Sequence, residues 1–315
     1  MRILVTGAAG FIGSHLCEQL LMNEKVSVVG VDGHIDSSLC KVKERNVRNL
    51  LKHPRFTLLK QDLLTIDLEP LVDQVDVIYH LSGIPGVRSS WGTDFKKYVT
   101  HNIVATQQLL EACRRHSLEK FIYISTSSVY GQKNGKVGEK ASPTPLSPYG
   151  VSKLTGEHLC NVYYRNFSIP TVILRYFTVY GPRQRQDMAF HRFIKAIIDN
   201  QPIPIFGDGN QSRDFTYIDD CIAATCAVLH ADVIGETINI GGKERATVLQ
   251  IISMLESIFQ KDAKLQFLEK PFGEPMSTWA DISKAEKLLR YSPNVPLLQG
   301  IEKEVDDLLD LYQID

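Results

Sequence analysis

The chain has 315 residues, 43% of them hydrophobic and 23% charged, a balance that excludes a disordered chain and allows one large two-lobed unit or two domains. Lysine plus arginine number 35 against 36 aspartates plus glutamates, so no long-range field favours nucleic acid or an anionic membrane, and any anionic ligand must be held locally. No apolar run approaches a membrane span, and six cysteines (Cys17, Cys40, Cys113, Cys160, Cys221, Cys226) without a C-x-x-C pair read as small buried hydrophobes in a reducing compartment.

Met1-Arg2 leads straight into the apolar Ile3–Val5, which leaves no place for a signal peptide and makes a cytoplasmic protein the expectation. The first strand, Ile3–Thr6, runs into Gly7-Ala8-Ala9-Gly10-Phe11-Ile12-Gly13, and an amphipathic helix is expected over Phe11–Met22. Glycines after a strand let the backbone turn tightly and approach a pyrophosphate, whose charge sits at the positive end of the helix. Gly7, Gly10, Phe11, Ile12 and Gly13 are therefore candidate dinucleotide contacts, in the context that makes such a loop specific. The second strand, Val26–Val31, ends at Asp32. A carboxylate there accepts from ribose hydroxyls and repels a 2′-phosphate, and the following Gly33-His34 offers no arginine for one, so NAD is favoured over NADP.

Further strands are expected at Phe56–Leu59, Val75–Tyr79, Phe121–Ser125 and Thr171–Tyr176, with helical periodicity over Phe95–His116 and Tyr149–Phe167. The alternation predicts a Rossmann-type, doubly wound parallel α/β sheet. Beyond Tyr180 the prolines and the glycines of "FGDGNQSRDF" break the rhythm, and a smaller C-terminal α/β lobe begins. The expected division is a dinucleotide-binding part over residues 1–177 plus about 214–240, and a ligand-binding lobe over 178–213 plus 241–315. Within that lobe Thr247-x-x-Gln250 and Ser283-x-x-Glu286 are expected capping boxes. No metal site is expected.

Tyr149 and Lys153 stand at i and i+4 of a helical segment, on one face, where both can reach one substrate. A phenol is a poor base at neutral pH, but a close ammonium and a cofactor cation favour the phenolate. Upstream, the fifth strand runs into Ser125-Thr126-Ser127-Ser128-Val129-Tyr130-Gly131.

The order of glycine loop, acidic strand end, serine and threonine cluster, then Tyr-x-x-x-Lys resembles the extended short-chain dehydrogenase/reductase superfamily, in its NAD-dependent epimerase/dehydratase group. The resemblance spans essentially the whole chain, through Asp62-Leu63, His80-Leu81-Ser82-Gly83, Arg175-Tyr176-Phe177-Thr178-Val179-Tyr180-Gly181-Pro182, and Phe206-Gly207-Asp208-Gly209 leading to Arg213-Asp214-Phe215. It implies that Asp62 and Leu63 flank the adenine of NAD, that Leu81 meets the nicotinamide ribose, and that Lys153 meets both Tyr149 and that ribose, with Tyr176 also at the cofactor. It implies Tyr149 as base, Thr126 as its partner, Arg213 at a nucleotide diphosphate, where guanidinium suits phosphate, and Phe206 and Gln211 among the other substrate contacts.

Dehydratases of the superfamily carry an Asp-Glu pair where this chain has Ser127 and Ser128, and decarboxylases acting on UDP-glucuronate usually have a glutamate at the place of Ser128. Reversible oxidation at C4 of a UDP-sugar, followed by hydride return to the other face, is the chemistry this implies. The hydroxyls of Thr126, Ser127 and Ser128, Thr178 in place of a usual asparagine, and the stretches Pro85–Trp91 and Gly181–Phe193 look like bacterial UDP-glucuronate 4-epimerases. By that likeness Pro85, Arg88, Arg185 and Arg192 join the substrate contacts, and Lys270 and Glu274 stand in for an arginine usual near Pro271. Neutral UDP-hexose or UDP-N-acetylhexosamine epimerases are the alternative, ahead of a UDP-glucuronate decarboxylase, a 4-keto-sugar reductase or an NAD-sensing protein. The resemblance also implies a homodimer through Phe95–His116 and Tyr149–Phe167, with Leu109, Leu110, Leu159 and Tyr163 each facing either the partner or its own core.

Overall fold

The computed structural model describes residues 1–33 and 39–312; His34, part of the reading that disfavours NADP, lies outside them. The strands are β1 (Arg2–Thr6), β2 (Ser27–Val31), β3 (Phe56–Leu59), β4 (Val77–His80), β5 (Lys120–Thr126), β6 (Thr171–Tyr176), β7 (Thr178–Tyr180), β8 (Ile203–Phe206), β9 (Ser212–Tyr217), β10 (Thr237–Ile240), β11 (Glu244–Thr247) and β12 (Leu265–Leu268). The helices are α1 (Phe11–Leu21), α2 (Cys40–Val47), α3 (Leu68–Val72), α4 (Phe95–Tyr98), α5 (Ala105–Cys113), α6 (Pro148–Phe167), α7 (Ala189–Ile198), α8 (Ile218–Ala227), α9 (Val248–Phe259), α10 (Ser283–Leu289) and α11 (Leu297–Tyr312).

Seven strands form one sheet in the order β10-β6-β5-β4-β1-β2-β3, every pair parallel. Parallel strands covered on both faces read as unbroken apolar runs rather than alternating ones, and β4 and β6 are buried at every position. The strand order reverses between β1 and β4. That is the switch point at which the loops leaving the strand ends diverge and open a crevice. β10 returns to this sheet beside β6 after the chain has already left it. The strands β7, β9 and β11 form a separate three-stranded sheet, and β8 with β12 a two-stranded one; β9 straddles the boundary expected at 213/214.

Two expectations are corrected and one open alternative is decided. The segment Phe95–His116 is not one continuous α-helix: α4 and α5 are joined by a π-helical turn, Val99–Val104. The extra residue lets Asn102 point inward, where its Oδ1 accepts from the Ile84 amide at 2.6 Å and its Nδ2 donates to the Ile84 carbonyl at 3.0 Å. Thr247 and Gln250 do make a reciprocal capping box at α9, but Ser283 does not cap α10, of which it is the first residue. Asp281, two residues earlier, accepts from both the Ser283 amide and its hydroxyl and so takes the hydroxyl a capping box would use. Leu109 and Leu110 are fully enclosed beside Ile78, Phe121 and Ile173. Their burial, worth roughly 1.5–3 kcal/mol each, is spent inside one chain, so neither reaches a second copy. Tyr163 is buried too, and its hydroxyl donates to Glu111 at 2.6 Å.

Candidate active site

The glycine loop lies at the switch point. Gly7 adopts φ +73°, its amide donates to the Val31 carbonyl at 2.7 Å, and its carbonyl accepts from Gly10 at 3.0 Å. A β-carbon on Gly13 would lie 2.1 Å from the Gly7 oxygen, so the loop closes only around a bare glycine. Phe11 and Ile12 open α1, whose first turn carries no acidic side chain to answer the positive end of the helix. On the other side of the crevice Leu81 and Ser82 follow β4, and a β-carbon on Gly7 would come within 3.1 Å of the Ser82 amide. This cradle, with its unanswered helix end, fits a dinucleotide pyrophosphate.

Asp32 is buried at the end of β2, with Oδ2 accepting from the Ala9 amide at 3.1 Å and Oδ1 from the Lys43 ammonium at 2.6 Å. Lys43, in α2, was not anticipated, because a lysine eleven residues past a strand end carries no local signal; its charge is spent on Asp32. Asp62 follows β3 and turns Oδ1 to the Leu64 amide, and Leu63 is buried beside it. Tyr176 is buried, and its hydroxyl is engaged by Thr225 at 2.6 Å, so it has no hydroxyl to offer a ligand.

Ser147 caps α6 by accepting from the Gly150 amide, and Pro148 supplies the preset φ of a first turn. This start sets Tyr149 and Lys153 on the face turned to the end of β5. Thr126, at the end of β5, stands near the Tyr149 phenol. Burial nonetheless holds that phenol above its ordinary value, against the opposing pull of Thr126 and of the Arg185 charge. Lys153 is buried, stands 4.2 Å over the Tyr123 ring, and is itself pushed down to about 8, chiefly by desolvation, with Cys160 and Glu157 opposing. Tyr98 meets the Tyr149 ring edge-on at 6.2 Å; its hydroxyl donates to the Pro85 carbonyl at 3.1 Å. Asn102 also donates to Ser152 at 3.0 Å, and Ser152 to the Tyr149 carbonyl at 2.8 Å, so the π turn ties down the helical turn that carries the tyrosine.

Beside the phenol, Thr126 accepts from the Ser128 amide at 3.1 Å and donates to the Ser128 hydroxyl at 3.2 Å, and Ser127 is half-buried next to them. Thr178, also half-buried, begins β7 opposite Phe215.

The arginines gather elsewhere. The Arg88 guanidinium lies 4.0 Å above the Phe206 ring and donates from Nε to Glu274 at 2.5 Å; Arg213 pairs with the same carboxylate at 3.6 Å, and Arg192 stands 5.9 Å from the Phe206 ring. Desolvation and the neighbouring Arg88 charge hold both Arg192 and Arg213 below the ordinary arginine range. Like charges crowded in this way bind a multivalent anion well, because the anion relieves their repulsion. Alongside is a cleft of about 200 Å³ lined by Phe206, Gln211, Arg213, Lys270 and Glu274 among others. Gln211 spans its floor, donating to the Phe206 carbonyl at 2.9 Å. Arg185 is not loose: it makes a two-point ion pair with Asp187 at 2.9 and 2.6 Å. Among the described residues no cluster of His, Cys, Asp and Glu could hold a metal, and no helix is long and apolar enough to cross a membrane.

The chain matches the NAD dependent epimerase/dehydratase family over residues 3–241. It is 60% identical to the UDP-glucuronic acid 4-epimerase of Bacillus cereus, whose crystal structure holds UDP-glucuronic acid and NAD; the likeness covers 99% of this chain and 100% of that one, with a TM-score of 0.98. An uncharacterized UDP-glucose epimerase, YtcB, of Bacillus subtilis (strain 168) is 59% identical over 99% of both chains. A UDP-glucuronate 4-epimerase of Thermodesulfobacterium geofontis (strain OPF15) is 38% identical over 96% of this chain and 94% of its own. The glycine cradle, the Thr126–Tyr149–Lys153 group and these likenesses agree, and the chain belongs to the NAD dependent epimerase/dehydratase family.

Proposed function

We propose that the protein is an NAD-dependent UDP-glucuronate 4-epimerase that forms UDP-galacturonate through a 4-keto sugar. The observation that carries this reading is the separation of two kinds of anion contact. Uncharged hydroxyls stand at Thr126, Ser127 and Ser128 where β5 ends and at Thr178 where β7 begins, and guanidinium groups gather about Phe206. Likeness to the Bacillus cereus enzyme at 60% identity supports it independently.

In this reading Arg88, Arg192 and Arg213 hold the diphosphate, Arg185 lies near the phenol, and Phe206, Gln211, Lys270 and Glu274 meet the uridine side. Bound NAD takes the C4 hydride and gives it back to the opposite face, so the redox cycle closes without a second substrate. Tyr149 accepts the proton of the C4 hydroxyl, Thr126 orients that hydroxyl, and Lys153 supplies positive charge beneath the phenol. The 4-keto form of a glucuronate is a β-keto acid, and it loses carbon dioxide if its carboxyl bond aligns with the carbonyl π system. Several fixed neutral donors hold the carboxylate out of that alignment by geometry. Serines at 127 and 128 supply no acid or base for elimination.

We further assign the protein to the cytoplasm, consistent with its six free cysteines, and to a homodimer formed through α6. The exposed face of that helix carries Val151 and Val162, 44% and 51% exposed, in place of the buried Leu109 and Leu110. The division of the chain into a dinucleotide part and a ligand lobe, at the boundaries given above, remains our reading of its organisation.

The name of the Bacillus subtilis relative favours a neutral-hexose reading. Incubation of the purified protein, without added NAD, with UDP-glucuronate, UDP-glucose and UDP-N-acetylglucosamine separates the two when products are followed by NMR. UDP-galacturonate is the expected product. Faster turnover of a neutral sugar replaces our reading with the alternative.

A further inference from the structure

The face of α6 that carries Tyr149 and Lys153 continues one turn on to Glu157, which no local motif marks. Its carboxylate is buried and clamped: Oε1 accepts from the Ser125 hydroxyl at 2.5 Å and from Arg175 Nε at 2.9 Å, and Oε2 from the Arg175 terminal nitrogen at 2.6 Å. Ser125 and Arg175 are direct neighbours in the β5–β6 register, and the next residues along are Thr126 and Tyr176. Arg175 in turn lies 4.7 Å over the Tyr130 ring and leaves one buried terminal nitrogen without a partner.

A buried ion pair with an unsatisfied nitrogen is a poor device for stability alone, since a well-packed apolar pair of similar volume is often as good or better. Its placement suggests another use. We propose that Glu157 is a positioning residue of the reaction: clamped between Ser125 and Arg175, it sets the electrostatic field at Lys153 and the spacing between Tyr149 and Thr126. The inference rests on the reading of Tyr149 and Lys153 as the proton-transfer pair.

Lys153 shares a helix face with Tyr149, Glu157 and Cys160 and is met by Tyr123 from β5 and His80 from β4, while Arg175 from β6 is paired with that Glu157. His80 is held neutral by burial, and burial keeps the Cys160 thiol and the Tyr123 phenol protonated. Glu157 is thus the standing negative charge that favours the ammonium. Replacing it with glutamine keeps most of the clamp's shape, removes that charge and leaves Arg175 unbalanced, so Lys153 must lose its proton at lower pH.

The test compares full-length wild type with Glu157→Gln and with the double variant Glu157→Leu/Arg175→Met, which exchanges the pair for apolar packing. The Lys153 side chain is titrated by NMR in lysine-labelled protein, with Lys153→Arg fixing its assignment. The expected result in both variants is a downward move of the Lys153 titration. The alkaline limb of kcat should move the same way, with kcat roughly tenfold or more lower and KM for the UDP-sugar changed less than threefold. An unmoved Lys153 titration with only a lowered melting temperature overturns the proposal and leaves Glu157 a structural clamp. If wild type turns over no UDP-sugar, the functional reading has failed, while the Lys153 titration still decides the placement of the charge.

Discussion

Gly13 approaches Gly7 so closely that a β-carbon on the first would lie 2.1 Å from the carbonyl oxygen of the second. The obstacle is backbone, which cannot swing aside as the tip of a side chain can. Gly13→Ala must therefore open the loop, and such overpacking costs roughly 1–3 kcal/mol. Wild type is expected to purify with NAD bound, released on denaturation and identified by chromatography, whereas Gly13→Ala should come through largely empty with a lower melting temperature. Wild type that carries no dinucleotide and needs a continuous supply of it would contradict the closed redox cycle.

Tyr149→Phe removes a proton acceptor and keeps the ring that packs on Tyr98. Turnover should fall by roughly two to four orders of magnitude, with the melting temperature and the dissociation constant for UDP nearly unchanged. Ser127→Ala and Thr178→Ala should behave differently: the first oxidation survives, and the share of decarboxylated pentose product from UDP-glucuronate rises, as read by NMR. Near wild-type turnover in Tyr149→Phe would show the base misassigned.

For Arg213→Ala the expected loss is in binding. A charge-assisted contact to phosphate is worth about 1.5–3 kcal/mol, so titration calorimetry with UDP should report a dissociation constant roughly 10- to 100-fold higher. Glu274 loses one of its two arginine partners in that variant, and Arg88 keeps it occupied. Unchanged UDP affinity would move the diphosphate away from Phe206.

Acid should destabilise the fold through two buried histidines, and Asp214, which burial raises to about 6, offsets part of that loss. Burial holds His80 down to about 3 and, with help from the Arg183 charge, His15 down to about 4, against 6.5 for an ordinary histidine. The unfolded chain takes up these protons near pH 6.5 and the folded chain does not. Stability fully present above pH 6.5 is therefore lost as pH falls from 6.5 towards those lower values. From pH 6.5 to 5 the loss is about 1.6 kcal/mol for each histidine. Urea midpoints at the two pH values measure it, and a flat profile would mean that these rings reach solvent.

Val162→Asp places a charge on the exposed face of α6. Light scattering should give a dimer for wild type and a monomer for the variant at micromolar concentration. A monomeric wild type refutes the assembly outright.

The parallel sheet and the glycine loop were legible because each is written locally: β4 and β6 as short apolar runs, the loop as glycines at a strand end followed at once by a helix. Tyr149 and Lys153 were legible because helical spacing alone puts them on one face. What stayed hidden depends on partners far along the chain. Nothing near Asn102 announces a π turn, since its partners are the Ile84 backbone and Ser152. Glu157 needed Ser125 and Arg175 beside it, and the pairing of Arg88 with Glu274, both already candidates, spans 186 residues. Whether Leu109 and Leu110 face a partner or their own core was hidden for a related reason, because helical periodicity shows that a face is apolar without showing what covers it.

The late return of β10 bears on how the protein is made. A ribosome releases β1 to β6 in order, yet the strand that closes the sheet beyond β6 arrives only with Thr237–Ile240, some sixty residues later. Throughout that interval β6, buried at every position in the finished fold, shows a bare apolar edge with unpaired amides and carbonyls. Such an edge is a template for pairing with other chains. A product of premature termination in this stretch is therefore bound for aggregates rather than for a free dinucleotide-binding fragment, and dividing the gene at the apparent border between lobes would reproduce the same fate.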